Sequence, residues 1–187
     1  MEAKNDISMI KFIWRFSYAH ASAFMIAGIF AMMFMNYEYL FLTEPLSFMR
    51  PTSDPIIPLG ATLQLLRGII YGLVLYPLRK AFFEEDKGYL KLGLVFLGLT
   101  VLGTFGPAPG SFDGYIFTNF PLAINLLGYP EALIWIISLV GILKISNKYE
   151  HKRIVKIMPF VFVGLIIFVG VSGYLYAISG TGLLSGY

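Results

Sequence analysis

The sequence predicts an all-α membrane protein, a bundle of about five transmembrane helices that forms one polytopic domain over residues 1–187. Of its 187 residues, 57% are hydrophobic and only 13% are charged, whereas a soluble domain carries about a quarter charged residues. Several apolar stretches approach the roughly 20 residues that cross a bilayer. Basic residues also gather in alternate connecting segments, as in a chain that crosses repeatedly.

The hydrophobic stretches define the five predicted spans in chain order. They are 16–37, 57–78, 89–105, 130–145 and 158–178. The third and fourth are short, and lysines at the basic end of the fourth could extend it by placing their charge at the surface. Residues 116–127 are apolar but too short to cross, which predicts an interfacial or re-entrant segment.

The basic residues predict the orientation of the bundle. Twelve of the fourteen fall in segments on one side: Lys4, Lys11, Arg15, Arg79, Lys80, Lys87, Lys91, Lys144, Lys148, Lys152, Arg153 and Lys156. Because short cytoplasmic loops are enriched in Lys and Arg, the amino terminus is expected in the cytoplasm and the carboxyl terminus outside. The expected location is the plasma membrane. The high pI follows from this topology and gives no reason to expect a nucleic-acid partner.

Several kinds of chemistry have no support in the sequence. Cysteine is absent, which excludes disulfides, thiolate metal sites and cysteine nucleophiles. No HExxH, GxSxG or glycine-lysine phosphate loop occurs, so hydrolytic, metal and nucleotide chemistry have no positive support, and no metal or cofactor is expected. The two histidines are not placed on two spans, as a bis-histidine haem would require. His20, inside the first span, is expected to form hydrogen bonds between helices.

Arg67 is the most informative residue, because it lies ten residues into the second span. A guanidinium at that depth costs on the order of 2.5–3.5 kcal/mol and needs polar partners or water. Helical spacing places a polar stripe on one side of this span. The stripe consists of Gly60, Gln64, Arg67, Gly68 and Tyr71.

Three charged residues outside the second span are candidates to join Arg67. Glu131 opens the fourth span, Asp113 lies in a glycine- and proline-rich loop, and Arg50 is a second cation. One interpretation is a structural ion pair between Arg67 and Glu131 or Asp113. The other is an outward-facing pocket that binds a ligand through Arg50, Gln64, Arg67, Tyr71, Asp113 and Glu131, with loop 106–115 as its wall.

The second interpretation leads to the preferred function, which is binding or transport of a small anionic solute or lipid headgroup. An alternative is an enzyme within the membrane or at its outer face, with Asp113 or Glu131 as the acid or base. A further alternative is a structural subunit of a larger membrane complex. Such a subunit is expected to contact other helices through two stripes of small residues. These are Ala19, Ala23, Ala27 and Ala31 in the first span, and Gly170, Gly173 and Ala177 in the last.

Overall fold

The computed structural model describes residues 7–104, 106 and 108–180, and every regular element in that part of the chain is helical. The α-helices are α1 (Met9–Phe34), α2 (Tyr37–Leu40), α3 (Gly60–Leu75), α4 (Arg79–Phe83), α5 (Gly88–Phe96), α6 (Phe112–Phe117), α7 (Leu122–Leu127), α8 (Tyr129–Lys148) and α9 (Arg153–Gly180). Short 3₁₀ turns, Ile57–Leu59 and Tyr76–Leu78, flank α3, and a π-helical turn, Leu97–Leu102, follows α5.

Four helical segments are long and apolar enough to cross a membrane, namely Met9–Phe34, Ile57–Phe83, Leu122–Lys148 and Arg153–Gly180. The expected third span forms a shorter apolar helix, Gly88–Leu102. At 1.5 Å per residue it is about 22 Å long, less than the roughly 30 Å of a hydrocarbon core. The prediction of an all-helical bundle is therefore confirmed, and four of the five expected spans have the necessary length.

Residues 116–127 do not form one continuous segment. Helix α6 ends at Phe117, residues 118–121 are not helical, and α7 begins after Pro121 and leads through Gly128 into α8. Proline is well suited to this break, because its ring fixes φ and removes a backbone donor. The second half of the expected interfacial segment thus belongs to the long helix Leu122–Lys148.

Helix α1 lies at the centre of the bundle and packs mainly on α3, α8 and α9. Its alanine stripe, Ala19, Ala23, Ala27 and Ala31, is almost completely buried within the chain. These small side chains allow the neighbouring helices to approach α1 closely. The stripe is therefore used inside the bundle.

Two glycines of α3 sit directly on the backbone of α1. A Cβ atom at Gly68 would lie 2.6 Å from the Cα of Ser17, and one at Gly72 would lie 2.8 Å from the Cα of Ile13. The Ser17 hydroxyl also donates to the carbonyl of Leu65 (2.9 Å). This close crossing fixes the position of α3 against α1.

The glycines of the second stripe meet α3 and the 3₁₀ turn before it. A Cβ at Gly170 would clash with the hydroxyl of Thr62, and one at Gly173 would lie 2.7 Å from the Pro58 ring. The Thr62 hydroxyl donates to the carbonyl of Ile166 (3.1 Å). Ala177, the third member of the stripe, is partly buried.

The bundle has two distinct ends. We call one the basic end, because Lys11, Arg79, Lys91, Lys148 and Arg153 lie at the helix termini that meet there. We call the other the loop end, where segments 35–56 and 103–128 connect the helices. The predicted tail beyond residue 180, and with it the carboxyl terminus, lies outside the described residues.

Candidate functional site

A cleft of about 230 Å³ opens between α1, α3, the π-helical turn, α8 and the loop that follows the turn. Apolar side chains form much of its wall, with polar groups spaced among them. The polar and aromatic residues of the lining are His20, Arg67, Thr100, Thr104, Tyr129, Glu131 and Trp135. Since the Arg67 side chain is exposed, the cleft is open to its surroundings.

A directed chain of hydrogen bonds joins three helices beside the cleft. The indole N–H of Trp135 donates to Nδ1 of His20 (3.1 Å). Because an indole can only donate, Nδ1 carries no proton, and Nε2 donates to Oε1 of Gln64 (2.9 Å). His20 is completely buried. Its expected cross-helix hydrogen bonding is confirmed.

Aromatic rings support this chain of hydrogen bonds. The His20 ring lies edge-on to Tyr71 and to Trp135, with centroid distances of 5.0 and 5.4 Å. Phe96, from the last turn of α5, completes the cluster at 5.1 Å from Tyr71 and 5.5 Å from Trp135. Edge-to-face pairs of this kind stabilise a fixed ring arrangement, so the cleft has a rigid base.

Arg67 bonds to a tyrosine on its own helix. Its Nε donates to the hydroxyl of Tyr71 (2.9 Å), one helical turn further along α3, and its guanidinium carbon lies 5.5 Å from the centre of that ring. Among the described residues, no carboxylate lies within ion-pair distance of Arg67. The direct ion pair with Glu131 or Asp113 is therefore wrong, since Glu131 bonds to Tyr37 instead.

The other predicted site residues divide into two groups. Glu131 lines the cleft, and its carboxylate accepts a hydrogen bond from the hydroxyl of Tyr37. Arg50 instead forms an exposed ion pair with Asp54 (2.8 Å), and the backbone N–H of Ile56 together with Arg50 holds the pKa of the Asp54 carboxyl below its ordinary value.

The structure does not bring all six predicted residues into one pocket. Arg67 and Glu131 line the cleft, and Gln64 and Tyr71 hold its lining residues His20 and Arg67 in place. Arg50 and Asp113 are not among the residues that line it. Sequence spacing gave the depth of these charges along the chain but not the side of the bundle on which each would lie.

The π-helical turn and the residues just after it contribute two threonines to the cleft, Thr100 and Thr104. The backbone N–H of Gly103 bonds to the carbonyl of Gly98 (2.8 Å), and the Thr100 hydroxyl donates to the carbonyl of Phe96 (2.6 Å). The Thr104 hydroxyl is buried and has no hydrogen-bond partner among the described residues. Such π-helical turns are rare and occur frequently at functional sites.

The glycine- and proline-rich loop has a fixed structure that closes one side of the cleft. Gly106 and Gly110 have φ values of +90° and +82°, which glycine adopts without strain. The backbone N–H of Gly110 donates to Oδ1 of Asn125 (3.2 Å), and the Tyr129 hydroxyl donates to the carbonyl of Gly110 (2.8 Å). Ala108, Pro109 and Gly110 line the cleft, in agreement with the expected wall.

A second polar network, at the basic end, was missed by the sequence interpretation. Arg15 is 7% exposed and donates to Oδ1 of Asn147 (3.1 Å) and to Glu150, which also pairs with Lys11 (3.0 Å). Arg15, followed by Lys11, holds the pKa of the Glu150 carboxyl below its ordinary value. A signal was present, because Lys11, Arg15 and Tyr18 are spaced like one face of a helix.

Within the described residues, no group of three or more His, Asp or Glu side chains is placed to hold a metal ion. The chain matches no protein-family model, no curated protein and no solved structure. Fold and site together define a helical protein with membrane-spanning potential and an open cleft whose arginine meets no carboxylate among the described residues.

Proposed function

We propose that the chain is a multi-pass membrane protein that binds or transports a small anionic group, a phosphate or carboxylate, in the cleft around Arg67. The group belongs either to a solute or to a lipid headgroup. The observation that carries this proposal is the guanidinium of Arg67 in an open cleft of apolar helices, where it bonds to Tyr71 but to no carboxylate of the described residues. A charge inside a membrane without a counter-charge is costly, and a bound anion supplies that counter-charge.

The groups around Arg67 fit such a ligand. Arginine binds planar oxyanions through paired N–H donors, and the Tyr71 hydroxyl uses only Nε of its five donors. The buried Thr104 hydroxyl, which has no partner among the described residues, adds a neutral donor to the lining of the cleft. The rigid base of His20, Trp135 and Phe96 reduces the entropy lost on binding.

The proposal includes the placement of the chain in the membrane. The basic end faces the cytoplasm, because Lys and Arg favour short cytoplasmic loops, and the cleft then opens toward the outer side of the plasma membrane. Gly88–Leu102 serves as a fifth crossing, with Thr104 and the following loop covering the distance that its helix leaves. The amino terminus lies inside and the carboxyl terminus outside.

The test compares two arginine variants by their thermal unfolding with inorganic phosphate and with acetate. An anion at 100 times its Kd stabilises the native protein by about 2.7 kcal/mol, and a charge-assisted hydrogen bond contributes about 1.5–3 kcal/mol. Arg67→Gln is therefore expected to bind the anion roughly 10- to 100-fold more weakly. Arg50→Gln removes the same charge away from the cleft and is expected to respond like the parent.

Two results would contradict anion binding in the cleft. If no anion raises the unfolding temperature of the parent, or if Arg50→Gln and Arg67→Gln lose the response equally, the cleft does not bind anions. A parent without any response whose Arg67→Gln variant fails to fold would instead favour the structural-subunit alternative, in which Arg67 serves assembly.

A further inference from the structure

A second, much larger cavity lies at the loop end. It has a volume of about 1140 Å³, is open on one side, and is lined by α1, α3, α9, α7 and the segment between α2 and α3. This volume exceeds the roughly 300–1,000 Å³ of ordinary small-molecule clefts. Its lining is almost entirely apolar, with residues such as Ile29, Phe41, Phe48, Ile57 and Val169.

The apolar cavity adjoins the Arg67 cleft. Phe24, Ala108, Pro109, Gly128 and Glu131 line both spaces. A single molecule can therefore place a polar group beside Arg67 and an apolar part in the larger cavity. The Tyr37 hydroxyl already holds one oxygen of the shared Glu131 carboxylate, which leaves the other to accept a hydrogen bond from a headgroup donor.

Methionine is concentrated along the apolar cavity. Four of the eight methionines in the chain, Met25, Met32, Met33 and Met49, belong to its lining. Methionine side chains are unbranched and polarizable, so they adapt to flexible apolar partners and are common at surfaces that bind them. An alkyl chain without a fixed shape is such a partner.

We infer that the ligand of the Arg67 cleft is an amphiphile, namely a lipid whose phosphate headgroup binds Arg67 and whose alkyl chain occupies the apolar cavity. This inference rests on the proposed function and adds the chemical class of the ligand. It requires the two binding energies to add within one molecule. Affinity must then depend both on the phosphate and on the length of the chain.

The experiment is calorimetric titration of the full chain in a steroid-based detergent, whose rigid rings cannot follow a straight chain into the cavity. The probes are inorganic phosphate and ethyl, butyl and hexyl phosphate, with hexanol as the neutral probe. Burial of one methylene group corresponds to about a fourfold gain in affinity. Hexyl phosphate is therefore expected to bind on the order of 15-fold more tightly than butyl phosphate.

Filling the apolar cavity provides the decisive variant. A Cβ at Gly28, which lines the cavity, would meet nothing within 4 Å, so Gly28→Leu has space for its side chain. It is expected to leave the ethyl phosphate affinity unchanged and to abolish the gain with chain length. Ala61→Leu, from the opposite wall, fills the same cavity independently. Gly164→Leu is the matched control, since Gly164 also has open space around it but does not line the cavity.

Each outcome has a definite meaning. If inorganic and ethyl phosphate bind but affinity does not rise with chain length, the amphiphile inference is wrong and the proposed function stands. If both fillers leave the chain-length gain intact, or if hexanol binds as tightly as hexyl phosphate, the inference is also overturned. If no phosphate binds at all, the proposed function fails together with it.

Discussion

The contact between α1 and α3 gives a prediction whose magnitude follows from the structure. In Gly68→Ala the new Cβ would lie 2.6 Å from the Cα of Ser17 and 3.0 Å from the carbonyl oxygen of Phe16. Carbon atoms in contact prefer about 3.5–4.0 Å, so the helices must separate by roughly 1 Å. Overpacking of this kind costs about 1–3 kcal/mol.

The helix propensity of alanine opposes this cost. Alanine is about 1 kcal/mol more favourable than glycine inside a helix. We expect Gly68→Ala to lower the free energy of unfolding by up to about 2 kcal/mol after that gain is included. Gly164→Ala, where a Cβ meets nothing within 4 Å, receives the propensity gain without the clash. The two variants are thus expected to differ by the cost of the clash, about 1–3 kcal/mol.

The same displacement of α3 from α1 would change the geometry of the cleft. Gln64 lies one turn before Gly68 on α3, and its side chain is held 2.9 Å from Nε2 of His20 on α1. A displacement of about 1 Å would lengthen this hydrogen bond beyond its useful range. Equilibrium unfolding in detergent measures the stability difference, and phosphate titration measures the effect on binding. If Gly68→Ala is as stable as Gly164→Ala, the close crossing of α1 and α3 does not exist as described.

Two further predictions concern the ends of the bundle. Glu150→Gln removes the charged partner of buried Arg15 and is expected to cost about 1–2 kcal/mol at neutral pH, at the low end because Glu150 is half exposed. Since the folded pKa of Glu150 lies below its ordinary value of 4.5, the stabilisation is fully present above that pH and is lost as pH falls through the folded pKa. The difference in the free energy of unfolding between parent and variant, measured at neutral and at acidic pH, must therefore become smaller in acid. A constant difference would contradict the ion pair. The orientation in the membrane can be tested with Lys87→Cys, because the chain has no native cysteine to interfere. This cysteine is expected to react with an impermeant thiol reagent only from the cytoplasmic side, and labelling from outside would contradict the predicted orientation.

The helical class of the fold could be predicted from the sequence, because long apolar stretches with few charges are typical of helices that cross a membrane. The depth of Arg67 and the packing role of the alanine stripe could be read in the same way, since both depend on position along one helix. The length of Gly88–Leu102 was also anticipated as short. These features are local and need no knowledge of neighbouring helices.

The partners of the charged residues could not be obtained in this way. Arg67 was expected to meet Glu131, but the rotation of α3 and α8 about their axes gives it Tyr71 and gives Glu131 the hydroxyl of Tyr37. Arg15 was counted among the basic residues that predict orientation, whereas the fold buries it beside Asn147. Such pairings depend on long-range packing, which one sequence does not determine.

The central position of α1 has a consequence for the order of assembly. Helix α1 is the most buried of the four long helices, but its mean hydropathy of 1.4 is well below the mean hydropathy of 2.6 of α9. Its polar side chains take their partners from later parts of the chain, with Ser17 bonded to α3 and Tyr18 and His20 bonded to α8. In the proposed membrane arrangement, α1 enters the bilayer before those partners are synthesised, and its polar groups stay unsatisfied or hydrated until α8 arrives. Completion of the bundle then depends on a helix made more than a hundred residues later, and truncation before α8 would leave Tyr18 and His20 without their partners on α8.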